Sequence, residues 1–249
     1  MAGHSKWANI KYRKAAQDSK RAKIWTKILK EVTISARSGG GDTTANPRLR
    51  TAVIAARDAN IPNDTVTRAI KKGTGELEGV NYEEIVYEGY GPFGIALMLE
   101  VMTDNKQRTV AEIRHLLSKH GGNLGETGSV SWNFTRKGNI IVSAEGIDED
   151  QLMMQALDAG AEDVSLAGDT YTILTDPSAF NDVHETLKEF FSIEHAGIEQ
   201  ISGTTVAIDN ADDAAKFMKL YDILDDHDDI QKVWDNSDIP EAIMEELNA

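Results

Sequence analysis

No cysteine occurs in the chain. That excludes a disulfide framework, a thiolate zinc site and a cysteine nucleophile, and it fits a reducing compartment. Long apolar runs are missing too. The longest, Gly94 to Met102, is interrupted by Glu100 and is far too short to span a bilayer. The opening residues Met1-Ala-Gly-His-Ser-Lys-Trp7 have no apolar stretch behind their charges, so neither a secretory signal nor a mitochondrial presequence is expected. The expectation is a cytoplasmic protein with no membrane partner.

Catalytic signatures are also lacking. There is no Gly-x-Ser-x-Gly, no Ser/His/Asp arrangement and no recognisable pair of carboxylates. His115 and His120 are five apart on a predicted helix and face different ways, while His184 and His195 have no partner in spacing, so no metal site is expected. Asp225-Asp-His-Asp-Asp229 is dense in oxygen ligands but lacks the glycine and terminal glutamate of a calcium loop, and reads as a solvated helix end. Gly39–Gly41, followed by Asp42-Thr-Thr, lacks the Lys-Ser/Thr ending of a phosphate-binding loop and follows no strand; it reads as a flexible hinge. No cofactor, small-molecule substrate or enzymatic activity is expected.

What is present is unevenly distributed charge. A length of 249 residues, with 41% hydrophobic and 27% charged residues, is ordinary for one to three globular domains. Residues 1–73 hold 16 Lys and Arg against 5 Asp and Glu, a net of +11, whereas residues 74–249 hold 10 against 36, a net of −26. A polyanion responds to local charge rather than to the average. The acidic remainder has no electrostatic reason to lie on nucleic acid.

Residues 1–73 read as helical. Asp18 or Ser19 caps a helix to about Arg37, with Ile24, Trp25, Ile28, Leu29, Val32 and Ala36 on one face. Lys20, Lys23, Lys27 and Lys30 form a basic stripe beside that face. Asn46-Pro47 starts a second helix, with Asn as N-cap and Pro at the first position. Ile61-Pro62-Asn63-Asp64 opens a third, stopped at Gly73, with Lys71 and Lys72 on its last turn.

From Tyr82 strands mix with helices. Ile85–Glu88 and Ile95–Met102 read as paired strands, the second central in its sheet because it is nearly all apolar. A helix over Thr109–His120 and a strand over Val130–Phe134 follow. The polar loop Thr103–Thr109 between strand and helix either binds something or caps the helix. Residues 139–201 then read strand, helix, strand, strand, helix, strand, a ferredoxin-like βαββαβ order. A strand at Val206–Ile208, a helix at Ala211–Leu224, a strand at Ile230–Trp234 and a short helix at Pro240–Leu247 are too few for an independent domain. They are expected to complete the sheet begun at Ile85, which makes the ferredoxin-like unit an insertion. The predicted class is therefore α+β multidomain: a basic helical domain (1–79), a discontinuous α+β middle domain (80–136 plus 204–249) and an inserted ferredoxin-like domain (137–203).

The leading candidate site is the basic front. Between Lys6 and Lys30 there are nine cations and one anion, Asp18, interleaved with Trp7, Tyr12 and Trp25. Cations suit phosphates, and exposed aromatics can stack on unpaired bases; alternatively, Trp25 is core and the lysines are a solvated face. The candidate nucleic-acid-binding residues are Lys6, Trp7, Lys11, Arg13, Lys14, Lys20, Arg21, Lys23, Lys27, Lys30, Arg48 and Arg50. No helix-turn-helix, zinc finger or aromatic RNA-binding sheet is evident, so phosphate, shape or single-strand contact fits better than base readout.

Several collinear segments carry a resemblance. Gly3-His-Ser-Lys-Trp-Ala-Asn-Ile-Lys11, Gly39-Gly-Gly-Asp-Thr-Thr-Ala-Asn-Pro-Arg-Leu-Arg50, Ala69-Ile-Lys-Lys-Gly-Thr-Gly75, Tyr87-Glu-Gly-Tyr-Gly-Pro-Phe-Gly94, Asp104-Asn-Lys-Gln-Arg-Thr109 and Gly121-Gly-Asn-Leu-Gly125 resemble the YebC/PmpR family. Thr43 stands where that pattern has proline, and Gln107 where it has asparagine. The resemblance implies three domains, namely an N-terminal helical bundle, an α+β middle domain and an inserted ferredoxin-like domain. It also implies a cytoplasmic, non-enzymatic protein. Many members are described as DNA-binding transcriptional regulators. Others, including a mitochondrial relative that activates translation, act on the ribosome, with bacterial members linked to relief of stalling at proline-rich stretches. The expected function is a nucleic-acid-binding regulator, transcriptional and DNA-binding in the first reading. The alternatives are a translation factor on ribosomal RNA and a protein-interaction scaffold using its acidic domains.

Overall fold

The computed structural model describes residues 21–248. Three helices come first: α1 (Arg21–Gly39), α2 (Pro47–Asp58) and α3 (Asn63–Thr74). Asn46 caps α2 as its sequence predicts: it is extended (φ −115°), its Oδ1 accepts from Leu49 N at 3.1 Å, and Pro47 holds the first position. Its amide also donates to Ser35 O (2.8 Å) and Gly40 O (2.9 Å), which ties α2 to the end of α1. The core between these helices is built largely from small residues: Val32 and Ala36 of α1, Leu49, Ala52 and Ala56 of α2, and Val66 and Ala69 of α3. Small side chains let the helix axes approach closely.

The predicted stop of α3 at Gly73 is corrected to Gly75, which adopts the left-handed conformation (φ +82°). Gly73 lies buried within the helix, and a Cβ there would sit 2.3 Å from Thr33 O of α1. It is a packing glycine and not a cap. The Gly39–Gly41 segment, read from sequence as a flexible hinge, is held to the start of α2 by the bond from the Asn46 amide to Gly40 O (2.9 Å). Asp42 Oδ1 accepts from Thr44 N (2.8 Å) and Thr44 Oγ1 (2.7 Å), an Asx turn leading into α2.

The next unit is an antiparallel sheet with strand order β3-β1-β2-β9: β1 (Glu83–Tyr90), β2 (Ala96–Thr103), β3 (Asn123–Leu124) and β9 (Ile230–Asp235). The expected pairing of the first two strands is present, from Glu83 opposite Thr103 to Tyr90 opposite Ala96. β2 is interior and covered on both faces. Leu97, Leu99 and Val101 pack with Ile113 and Leu117 of α4 (Lys106–Lys119) and with Phe217, Leu220 and Leu224 of α7 (Ala211–Asp225). Ala96 and Met98 pack with Val130, Phe134 and Trp234 on the other face. β9 pairs with β2, Trp234 opposite Met98 and Val233 opposite Leu99, so the sheet is closed by residues more than a hundred positions downstream.

The second antiparallel sheet has order β5-β6-β4-β7: β4 (Phe134–Ser143), β5 (Ala161–Ala167), β6 (Thr170–Thr175) and β7 (Ile193–Ser202). α5 (Glu149–Asp158) and α6 (Phe180–Lys188) pack Leu152, Ala156, Val183 and Leu187 onto Ile140, Val142 and Ile173. A two-stranded parallel pair, β8 (Val206–Ala207) with β10 (Ser237–Asp238), and α8 (Glu241–Asn248) complete the described chain.

The strand predicted over Val130–Phe134 is not formed. Glu88, 6% exposed, takes the amides of that segment: Oε1 accepts from Gly128 N, and Oε2 from Val130 N and Ser131 N, each at 2.8 Å. A short 3-10 turn (Ser131–Asn133) results, and strand geometry begins at Phe134. Burial works against the Glu88 charge, but the three backbone donors outweigh it and hold the carboxyl below its ordinary range.

Candidate nucleic-acid interface

Lys6, Trp7, Lys11, Arg13, Lys14 and Lys20 lie outside the described residues, as does the side chain of Arg21. The rest of the predicted α1 stripe faces the acidic segment between α7 and β9. Lys23 Nζ donates to Asp226 O (2.8 Å) and lies 3.1 Å from Asp226 Oδ2. Lys27 Nζ donates to Asp225 O (2.6 Å) and lies 3.4 Å from Asp225 Oδ1. These carbonyls end α7, whose last turn contains no basic residue. A helix C-terminus carries partial negative charge, which Asp225 and Asp226 aggravate. Two lysines from another helix supply the missing cations and bond the end carbonyls. The segment predicted to be a solvated helix end is instead the docking partner of the lysine stripe.

Lys30 goes deeper. It is 8% exposed, and its Nζ donates to Asp229 Oδ1 (2.7 Å), Asp228 O (2.8 Å) and Met102 O (3.3 Å), 5.5 Å from the centre of the Tyr82 ring. The other Asp229 oxygen accepts from Arg108 Nη2 and Thr109 Oγ1, both at 2.7 Å, and from Thr103 Oγ1 at 3.3 Å. Burial raises the Asp229 proton affinity, but the hydrogen bonds from Lys30, Thr109 and Arg108 prevail and hold the carboxyl far below the usual range. The Thr103–Thr109 segment, read from sequence as a loop, is helical from Lys106 and is absorbed into this centre. Asn105 caps α4 by accepting from Arg108 N (3.1 Å), while Thr103, Arg108 and Thr109 serve Asp229. Sequence reading does not find the centre, because its parts come from four separated segments.

Glu112, His227 and Asp229 bring one potential ligand atom each to within 4.8 Å of one another. All three are engaged with protein groups: His227 Nδ1 accepts from Asp229 N (3.1 Å), His227 Nε2 lies 3.1 Å from Glu112 Oε2, and Asp229 is surrounded by donors. The cluster reads as part of the docking centre.

Arg48 is also engaged. Its guanidinium holds Glu31 of α1 (Nε to Oε1, 2.7 Å) and Glu84 of β1 (Nη1 to Oε2, 3.2 Å), and bonding to Glu31 first and Glu84 second raises its proton affinity further. Arg37 reaches Tyr82 O (3.4 Å) and Val80 O (3.3 Å). Trp25 is core, half-buried against the helical cluster with Nε1 donating to Ala59 O (3.0 Å).

Arg50 is different. It is exposed and, among the described residues, bonds loop carbonyls alone, Thr43 O (3.4 Å) and Thr44 O (3.3 Å). Arg57 of α2 and Arg68, Lys71 and Lys72 of α3 are exposed too, and among the described residues no carboxylate forms an ion pair with any of these five. Arg57, Arg68, Lys71 and Lys72 are not among the candidate site residues named from sequence. Their signal is their place opposite the apolar faces of α2 and α3.

Among the described residues no helix is long and apolar enough to cross a membrane. The family description "TACO1/YebC protein N-terminal domain" matches residues 5–76, and "TACO1/YebC second and third domain" matches residues 82–237. A "Probable transcriptional regulatory protein" from Halothermothrix orenii is 55% identical over 250 residues, covering 99% of both chains. One of the same name from Dictyoglomus turgidum is 51% identical over the whole of both. The crystal structure of the conserved hypothetical protein Aq1575 from Aquifex aeolicus superimposes with a TM-score of 0.79 at 44% identity, covering 90% of this chain and 93% of that one. With two family descriptions matched in order along most of its length and full-length relatives above 50% identity, the chain belongs to the TACO1/YebC family.

Proposed function

We propose that the protein is a non-enzymatic, cytoplasmic regulator of gene expression that binds nucleic acid, DNA in the first reading, through phosphate contacts of its N-terminal helical region. The observation that carries this is the set of exposed cations that have no ion-pair partner among the described residues, Arg50, Arg57, Arg68, Lys71 and Lys72, on the +11 end of a chain whose remainder is −26. Lys6, Lys11, Arg13, Lys14, Lys20 and Arg21 extend the same reading toward the N-terminus, with Trp7 as the candidate for stacking. The names of the relatives support a role in transcription. In the same reading residues 137–203 are a ferredoxin-like domain inserted into a discontinuous middle domain (80–136 plus 204–249). The strand order β5-β6-β4-β7 and the pairing of β9 with β2 support that division.

Crosslinking in cells, followed by sequencing of the bound nucleic acid, tests the proposal. Promoter DNA is the expected recovery. Recovery of ribosomal RNA would move the same cations to a translation factor, and recovery of neither would favour a scaffold that works through its acidic surface.

A further inference from the structure

The α1 lysines are engaged within the chain. Their partner is a run of four carboxylates in five residues together with the carbonyl end of α7. Such a surface offers lysine what a phosphate backbone offers: closely spaced anionic oxygens. The three pairs are graded. Lys30–Asp229 is buried on both sides, with side chains 9% and 7% exposed, and is braced by Arg108 and Thr109. Lys27–Asp225 and Lys23–Asp226 are progressively wetter, the carboxylates being 48% and 54% exposed. Exposed pairs are weak and screened by salt, whereas phosphates gain from counterion release when lysines meet them. A pivot at Lys30 and two releasable pairs beyond it make a clasp.

We propose that the Asp225–Asp226 end of α7 is an intramolecular stand-in for a phosphate backbone, covering Lys23 and Lys27 until nucleic acid displaces it. This rests on the nucleic-acid reading above and adds its regulation: the docked form presents fewer cations than the bound form. Lys30 remains with Asp229 in both, so the helical region pivots without detaching.

The test compares the full-length protein, an Asp225→Asn/Asp226→Asn variant and a charge-matched control, Glu145→Gln/Asp150→Asn, which alters exposed acids of the 137–203 unit. The probes are a single-stranded 20-mer RNA and a duplex DNA of the same length at low salt. Weakening two exposed ion pairs should tighten binding about threefold to tenfold, while the control stays near wild type. Because the chain has no cysteine, Ala55→Cys and Ala215→Cys, both at exposed positions, can carry a spin-label pair. The α2–α7 distance distribution should lengthen when nucleic acid is added. If all proteins bind, the two double variants are indistinguishable and the distance is unchanged, the clasp is refuted and the nucleic-acid reading stands. If none binds either probe, that reading falls and takes the clasp with it.

Discussion

The lysines of α1 and the cations of α2 and α3 belong to one basic region, yet the fold treats them in opposite ways. α1 lies against the β1–β2–β9 unit, so the face beside its apolar stripe meets the end of α7 and the Asp229 centre. α2 and α3 pack inward on α1 through small residues and leave Arg50, Arg57, Arg68, Lys71 and Lys72 in water. Apart from Arg48, which holds Glu31 and Glu84, equal charge in sequence therefore becomes structural on one helix and stays exposed on the other two. A basic stripe identifies an anionic partner but not whether that partner is another molecule or the chain itself.

That contrast is sharpest at Lys30. Lys30→Met leaves Asp229 buried without its closest ammonium, and loss of one partner of a buried pair costs about 3–5 kcal/mol. A urea titration should show the midpoint fall accordingly, and a change no larger than that of an exposed lysine would dissolve the distinction. Acid acts on the same centre. Asp229 titrates far below its ordinary range in the fold, so its contribution to stability is complete above about pH 4, the unfolded value, and is lost as pH falls further toward the folded value. The stability gap between wild type and Asp229→Asn should narrow below about pH 4. A gap constant down to about pH 2 would contradict the assignment.

The exposed set should behave in the reverse manner. Arg57→Gln, Arg68→Gln, Lys71→Gln and Lys72→Gln should each change stability by about 0.5 kcal/mol or less. Together they should flatten the salt dependence of nucleic-acid binding, by about one unit of log-log slope for each phosphate no longer neutralised. An unchanged slope would remove α2 and α3 from the interface. In stability the outer clasp falls between Lys30 and the exposed set. Lys23→Gln and Lys27→Gln should each cost about 1 kcal/mol or less in thermal denaturation. A cost near that of Lys30→Met would mean that the seam is one rigid unit rather than a pivot with releasable ends.

Local features are legible in the sequence. The Asn46-Pro47 helix start and the paired strands around Gly89–Gly94 depend on neighbours along the chain, and the structure has them. Gly73 misleads because a glycine near a helix end looks like a cap, and only the approach of Thr33 O shows why a side chain is excluded. Val130–Phe134 has the composition of a strand, but the Glu88 carboxylate, some forty residues away, captures its amides. The candidate site is legible as a region and not as a face.

By itself the sequence determined the division of charge, the starts of α2 and α3, the apolar faces and the family, because these follow from composition, short-range spacing and collinear motifs. The tertiary structure alone decided which cations remain available. That choice depends on which surfaces dock, and an ammonium 2.7 Å from a buried carboxylate is bound by groups that no local pattern places beside it.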